Sequence, residues 1–233
     1  MADEAPRAQR VALLAGGSGL VGSELLRQLL LAPDYSRVYA VSRRPLPIDN
    51  ARLANRIVPM EEIRARLAGT RCDDAFCCIG STRHGAGSVA EREKVDLDLV
   101  VSFARAVQSF GATRLVVISS AGANPQSRNP YLATKGKLEI ALRELRFASL
   151  EIMQPGLLLG ARSEVRPLEL AGTIVMPLVN PLLVGRFAQW RGISAVDVAA
   201  AMLAAARAQR RGVHVYAGRE LRALAEAGRR KSG

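Results

Sequence analysis

A short apolar run, Val11-Ala12-Leu13-Leu14, leads straight into Ala15-Gly16-Gly17-Ser18-Gly19-Leu20-Val21-Gly22, and this junction constrains the chain more than any other stretch. The run reads as a buried strand. Leu20, Leu25, Leu26, Leu29 and Leu30 then recur at helical spacing and read as an amphipathic helix. Between the two, Gly16 permits a tight turn, Gly19 lets backbone N–H groups approach an anion, and Gly22 lets the helix lie close on the strand. The helix presents its unpaired N–H groups and positive dipole end to that anion. Strand, glycine turn and helix in this order form the physical unit that holds a dinucleotide pyrophosphate. A glycine triplet alone also fits an ordinary strand-to-helix turn, so the flanking elements carry the reading.

Of the 233 residues, 49% are hydrophobic, which suits one domain over 1–233 with a full core and argues against disorder. Residues 226–233 read as a disordered tail. The N-terminus lacks the apolar segment of a secretory signal. The longest apolar stretch, 173–184, is broken by Pro177 and Pro181 and is too short to span a bilayer, so a cytoplasmic protein without membrane association is expected. Cys72, Cys77 and Cys78 have no CxxC spacing and read as reduced core residues, with neither disulfide nor metal site. The net charge of +12 raises the question of nucleic acid. Its arginines are scattered, the one short cluster is Arg229-Arg230-Lys231, and no nucleic-acid module accompanies them. No nucleic-acid partner is expected; the charge supports attraction to anionic cofactors and substrates.

Strand-like runs at Val11–Ala15, Val38–Ser42, Arg56–Met60, Ala75–Ile79, Leu115–Ser119, Leu150–Gln154 and Val213–Ala217 alternate with helical patterns. The latter fall at Leu20–Leu31, Glu61–Leu67, Val95–Phe110, Tyr131–Leu145 and Ala195–Ala208. This alternation predicts an α/β fold, a Rossmann-type doubly wound parallel sheet of order 3-2-1-4-5-6-7. The rhythm breaks after the sixth strand. There 162–191 reads as a small helical substrate lobe on the carboxyl side of the sheet, where open α/β folds bind ligands.

Tyr131 and Lys135 are four residues apart, so on a helix both emerge on one face. An ammonium beside a phenol favours the phenolate and makes the phenol a usable proton donor and acceptor near neutral pH. Ser119 and Ser120 end the strand just upstream, where a hydroxyl can hydrogen-bond a carbonyl oxygen as it gains charge on hydride addition. Tyr-x-x-x-Lys alone occurs by chance in many helices. Its weight comes from the serine-ended strand and the glycine turn in the same chain.

With Phe76-Cys77-Cys78-Ile79-Gly80-Ser81-Thr82-Arg83, Ser119-Ser120-Ala121-Gly122-Ala123, Tyr131-Leu132-Ala133-Thr134-Lys135-Gly136 and Pro155-Gly156, the chain resembles an atypical short-chain dehydrogenase/reductase. More narrowly it is similar to the Tat-interacting-protein-like, NAD(P)-binding oxidoreductase branch, over about residues 11–224. The resemblance implies that Ser119, Tyr131 and Lys135 are catalytic. It implies that Gly16, Ser18, Gly19, Leu20, Val21 and Gly22 hold the pyrophosphate. Cys78, Ile79, Gly80 and Ser81 would line the nucleotide, with Tyr131 and Lys135 also touching it, and Pro155, Gly156, Leu157 and Leu158 would hold the nicotinamide. Asp96 stands where many relatives carry asparagine, and Gln154 where they often carry arginine. Relatives also pair through helices beside the sheet, which admits a homodimer.

The second strand ends Ser42-Arg43-Arg44-Pro45, two cations where an NAD-selective site would place a carboxylate. This suits a ribose 2′-phosphate and predicts NADP(H) in preference to NAD(H). Solvated arginines opening a loop are the plainer alternative. His84, Arg83, Arg162 and Arg166 flank the expected cleft but read as surface residues, and His214 as structural. The expected function is an NADP(H)-dependent oxidoreductase moving hydride to or from a small-molecule carbonyl or alcohol. A nucleotide-occupied regulatory or redox-sensing protein with little turnover is the rival reading, and a nucleotide-sugar epimerase a third.

Overall fold

Apolar runs that are buried on both faces make good central strands of a parallel sheet, and this chain supplies several. The computed structural model describes residues 9–80, 88–159 and 190–230. Among these, β1 (Arg10–Ala15), β2 (Tyr35–Ser42), β3 (Leu53–Ile57), β4 (Asp74–Cys77), β5 (Arg114–Ile118), β6 (Ser149–Gln154) and β9 (Gly212–Ala217) form one parallel sheet. Its order is β3-β2-β1-β4-β5-β6-β9, the expected Rossmann-type order with β9 in the seventh place. A separate pair, β7 (Leu158–Leu159) and β8 (Ile193–Ser194), was not expected from the sequence.

Alternate residues along each strand feed two cores. Ala12, Leu14, Phe76, Val116 and Met153 meet α1 (Leu20–Leu31) and the alanine-rich helix over Ala195–Ala208. Leu13, Ala75, Cys77, Leu115, Val117 and Ile152 face the opposite side. There they meet α2 (Ile63–Arg66), α4 (Leu99–Ser109) and α5 (Pro130–Glu144), with α3 (Val89–Glu93) preceding α4. The alanine-rich helix is α6, and α7 (Gly218–Arg230) packs on it. Gly228 permits that approach, since a Cβ there would lie 2.4 Å from the Ala200 carbonyl oxygen.

Three expectations need correction. The third strand lies at Leu53–Ile57 rather than 56–60: it pairs in register with Val38–Ser42, and Pro59 cannot extend the ladder. The helix expected over 95–110 starts at Val89, capped by a reciprocal Ser88–Glu91 box, and passes through a π turn (Lys94–Asp98) before α4. Residues 226–230, expected as tail, continue α7, because Leu221, Ala225 and Gly228 share one buried face. Residues 162–189 of the expected lobe lie outside the described residues.

The amino ends of the strands carry a buried charge network. Asp74, 1% exposed, accepts from Arg10 and Arg114, each at 2.5 Å, and from the Tyr35 hydroxyl at 2.8 Å. Burial, then the Asp74 charge, pushes the Tyr35 phenol well up. Midway along β6, fully buried Glu151 accepts from Ser149 at 2.9 Å and Tyr216 at 2.7 Å. Removing Asp74 leaves the buried Arg114 guanidinium without its carboxylate, while Arg10 keeps Asp34 at 3.6 Å. Asp74→Ala is expected to cost about 3–5 kcal/mol, read from urea denaturation.

Candidate functional site

The turn after β1 is shaped by backbone contacts that leave no room for a side chain. Gly16 has φ +83°, and a Cβ there would lie 2.6 Å from the Cys78 carbonyl carbon and 2.9 Å from the Ile79 nitrogen. A Cβ on Gly22 would lie 2.0 Å from the Gly16 carbonyl oxygen. Gly19 N-caps α1 without a side-chain cap, Ser18 and Gly19 are exposed, and the first turn of α1 holds no carboxylate. Three features that suit an anion therefore coincide: an uncapped twelve-residue helix, an exposed glycine turn and a first turn free of negative charge. These residues fit a dinucleotide pyrophosphate. Leu20, Val21 and Gly22 open the helix, as the resemblance implies.

The same contact that closes the turn carries the site onward. Cys78 and Ile79 press on Gly16, and the next residue, Gly80, covers the Lys135–Asp96 pair. A Cβ on Gly80 would lie 3.2 Å from Asp96 Oδ1 and 3.5 Å from Lys135 Nζ. Lys135 Nζ donates to Asp96 Oδ1 at 2.7 Å, with both side chains buried. The π turn supplies the inward-facing Asp96, a distortion often found at functional positions. Asn129 caps α5 by accepting from the Tyr131 and Leu132 amides, which sets Tyr131 on the first turn. Lys135 Nζ lies 5.9 Å from the Tyr131 ring centroid.

Ser119 is placed differently from the expectation. Its hydroxyl donates to Glu139 Oε1 at 2.5 Å, and Gln154 Nε2 donates to the same oxygen at 2.8 Å. Glu139 follows Tyr131 by eight residues, about 12 Å along the helix axis. A serine has one proton to give, so Ser119 is committed to Glu139 rather than directed at the turn of Tyr131. Ser120 is buried beside it, and its hydroxyl makes a longer 3.3 Å contact to the Ala121 carbonyl. Gln154, where relatives often carry arginine, thus has a defined partner in Glu139.

Pro155 is buried and accepts from the Ala121 amide at 2.9 Å, tying the segment after β6 to the segment after β5. Gly156 and Leu158 are half-buried, Leu157 is exposed, and the Leu157 carbonyl accepts from Ile193. The Trp190 ring packs on Gly122, where a Cβ would meet it at 2.6 Å. At the end of β2, Arg43 and Arg44 are exposed, while Ser42 Oγ donates to the Arg44 carbonyl at 2.6 Å. Ser81, Arg83, His84, Arg162 and Arg166 lie outside the described residues. His214 bonds the Arg211 carbonyl at 2.9 Å, a local structural contact.

Sequence reasoning missed Glu139, Asn55 and Trp190. Glu139 had a legible signal, since it extends the Tyr131, Lys135 spacing by another four residues. Asn55 and Trp190 become visible only through long-range packing. Cys72, Cys77 and Cys78 are free, the first two buried and Cys78 half-buried. Among the described residues no cluster of metal-ligating side chains occurs, and no helix is long and apolar enough to cross a membrane.

No protein-family model matches the sequence. The chain is 32% identical over 183 residues to the mitochondrial protein FMP52 of Saccharomyces cerevisiae, covering 77% of this chain and 79% of that one. It is 33% identical over 158 residues to the HTATIP2 protein of Rattus norvegicus, covering 66% of this chain and 65% of that one. Among solved structures, MoeE5 in complex with UDP-glucose and NAD matches with a TM-score of 0.65 at 20% identity, covering 93% of this chain and 81% of that one. A short-chain dehydrogenase family protein from Francisella tularensis matches with a TM-score of 0.62 at 13% identity, over 89% of this chain and 97% of that one. These structures share the NAD-binding fold. The fungal relatives are named mitochondrial, which overturns the cytoplasmic assignment made from the N-terminus.

Two outcomes check this geometry. Gly16→Ala combines a disfavoured φ with a backbone collision, and is expected to weaken dinucleotide binding at least about tenfold in a calorimetric titration. Burial pushes the Cys77 thiol up to about 12, so at pH 8 it stays protonated. Alkylation of Cys77 by iodoacetamide, followed by peptide mass spectrometry, is expected only after unfolding.

Proposed function

Since this chain belongs to the FMP52 family of atypical short-chain dehydrogenases/reductases, we propose that it is an NADP(H)-dependent oxidoreductase acting on a small-molecule carbonyl or alcohol. The observation that carries the proposal is the run of contacts from the glycine turn through Cys78–Ile79 and Gly80 to Lys135 and Tyr131. It supports reading the Lys135 ammonium and the Tyr131 phenol as neighbours of a dinucleotide cradle.

When bound, the reduced nicotinamide supplies a hydride to the carbonyl carbon. Tyr131 gives its hydroxyl proton to the carbonyl oxygen, and in the reverse direction takes a proton from the alcohol. Lys135 has three N–H donors; Asp96 takes one, and the others can serve the cofactor's ribose and steady the phenol oxygen. Asp96 holds that ammonium in place. For the hydroxyl that polarises the carbonyl, Ser120 suits better than Ser119, whose proton is engaged by Glu139. Arg43 and Arg44 form no ion pair among the described residues, and 42–47 contains no carboxylate, which supports NADP(H) over NAD(H).

Tyr131→Phe is expected to lower turnover on a reactive carbonyl panel at least about a hundredfold, with the Kd for NADPH changed less than about twofold. Ser120→Ala should cost more turnover than Ser119→Ala. Thermal stabilisation by NADPH with no turnover on any carbonyl would favour the sensing role instead.

A further inference from the structure

The chain leaves the end of β2 through a short loop whose two ends meet on one side chain. Asn55 lies on β3 opposite Ala40 of β2. Its Nδ2 donates to the Ala40 carbonyl at 3.0 Å and to Ser42 Oγ at 2.8 Å, and its Oδ1 accepts from the Leu46 amide at 2.9 Å. Ser42 Oγ in turn donates a hydrogen bond to the Arg44 carbonyl at 2.6 Å. The amide orientation is fixed by this set, because only an oxygen can accept from the Leu46 N–H and only an NH2 can donate to the Ala40 carbonyl. Both ends of the segment 42–46 are therefore tied to one half-buried residue, and the residues held between them are Arg43, Arg44 and Pro45.

The far end of this loop rests on the glycine turn. A Cβ on Gly17 would lie 3.4 Å from Leu46 Cδ1, an ordinary packing distance. Arg43 and Arg44 thus leave the sheet beside the turn that opens the dinucleotide cradle. Both are exposed, and neither side chain is used by an ion pair among the described residues. Arg10, Arg114 and Arg207, in contrast, are spent on Asp74 and Asp34. A flexible pair of arginines would lose much of its affinity for a phosphate to side-chain and loop ordering. Pinning the backbone at both ends removes the loop part of that cost.

We infer that Asn55 is the positioning residue for cofactor choice: by closing the 42–46 loop it holds Arg43 and Arg44 where they meet a ribose 2′-phosphate. The inference rests on the NADP(H) reading above. Asn55 itself does not touch the phosphate; it acts through the arginine-bearing backbone, with Ser42 as the relay.

The test is calorimetric titration of the full chain with NADPH, NADH and 2′,5′-ADP, comparing wild type, Asn55→Ala, Ser42→Ala and the Arg43→Ala/Arg44→Ala double variant. Wild type should prefer NADPH. Asn55→Ala should weaken NADPH and 2′,5′-ADP about tenfold while NADH changes less than about twofold, so the preference itself falls. General damage to the fold would weaken both cofactors together and would overturn the inference. A preference lost in the arginine variant but intact in Asn55→Ala also overturns it, leaving the NADP(H) reading standing. Equal binding of NADPH and NADH by wild type defeats that reading and the inference with it. Should Asn55→Ala fail to fold by circular dichroism, Ser42→Ala decides: an unchanged preference there overturns the inference.

Discussion

The close passage of β4's continuation over the first glycine turn organises the molecule. Gly16 admits the Cys78–Ile79 backbone to a distance that no side chain would allow, and Cys78 is held there by the hydrogen bond its N–H donates to the Ala15 carbonyl. Two residues beyond Cys78, Gly80 makes a second close approach, onto the Lys135–Asp96 pair. The spacing of two glycines on neighbouring segments therefore fixes how far the phenol and ammonium lie from the dinucleotide turn. The π turn at Lys94–Asp98 and the Asn129 cap of α5 deliver their side chains to the position this passage defines.

The two ends of the sheet divide the work. At the amino ends, Asp74 buries its charge among Arg10, Arg114 and Tyr35, and midway along β6 Glu151 does so with Ser149 and Tyr216, so a mispaired register would leave ions unsatisfied. Asp74 thus anchors the sheet at the end opposite the candidate site.

Much of this was legible in the sequence. α1 falls where its apolar spacing puts it, and α6, buried all round over 198–206, falls where its run of alanines does. The parallel sheet followed from apolar runs alternating with helical patterns. β3 was offset because it is an edge strand with few buried residues, so its register is set by Asn50, Leu53 and the β2 ladder rather than by hydrophobicity. α7 escaped notice because its buried face consists of one leucine, one alanine and one glycine, small contacts that matter only against the alanines of α6. Within the site, the glycine turn and Tyr131–Lys135 were readable as local patterns. The commitment of Ser119 to Glu139 was not, since it depends on how β5 docks against α5.

Trp190 is the chain's sole tryptophan, and its ring lies on Gly122, two residues beyond Ser120. Indole emission overlaps the absorption band of a reduced nicotinamide, and energy transfer between such groups falls steeply with separation. The protein consequently carries its own optical ruler, fixed to the segment that links the serine pair to α5. Quenching of that one ring's emission on addition of a reduced dinucleotide is the signal expected, without any added label.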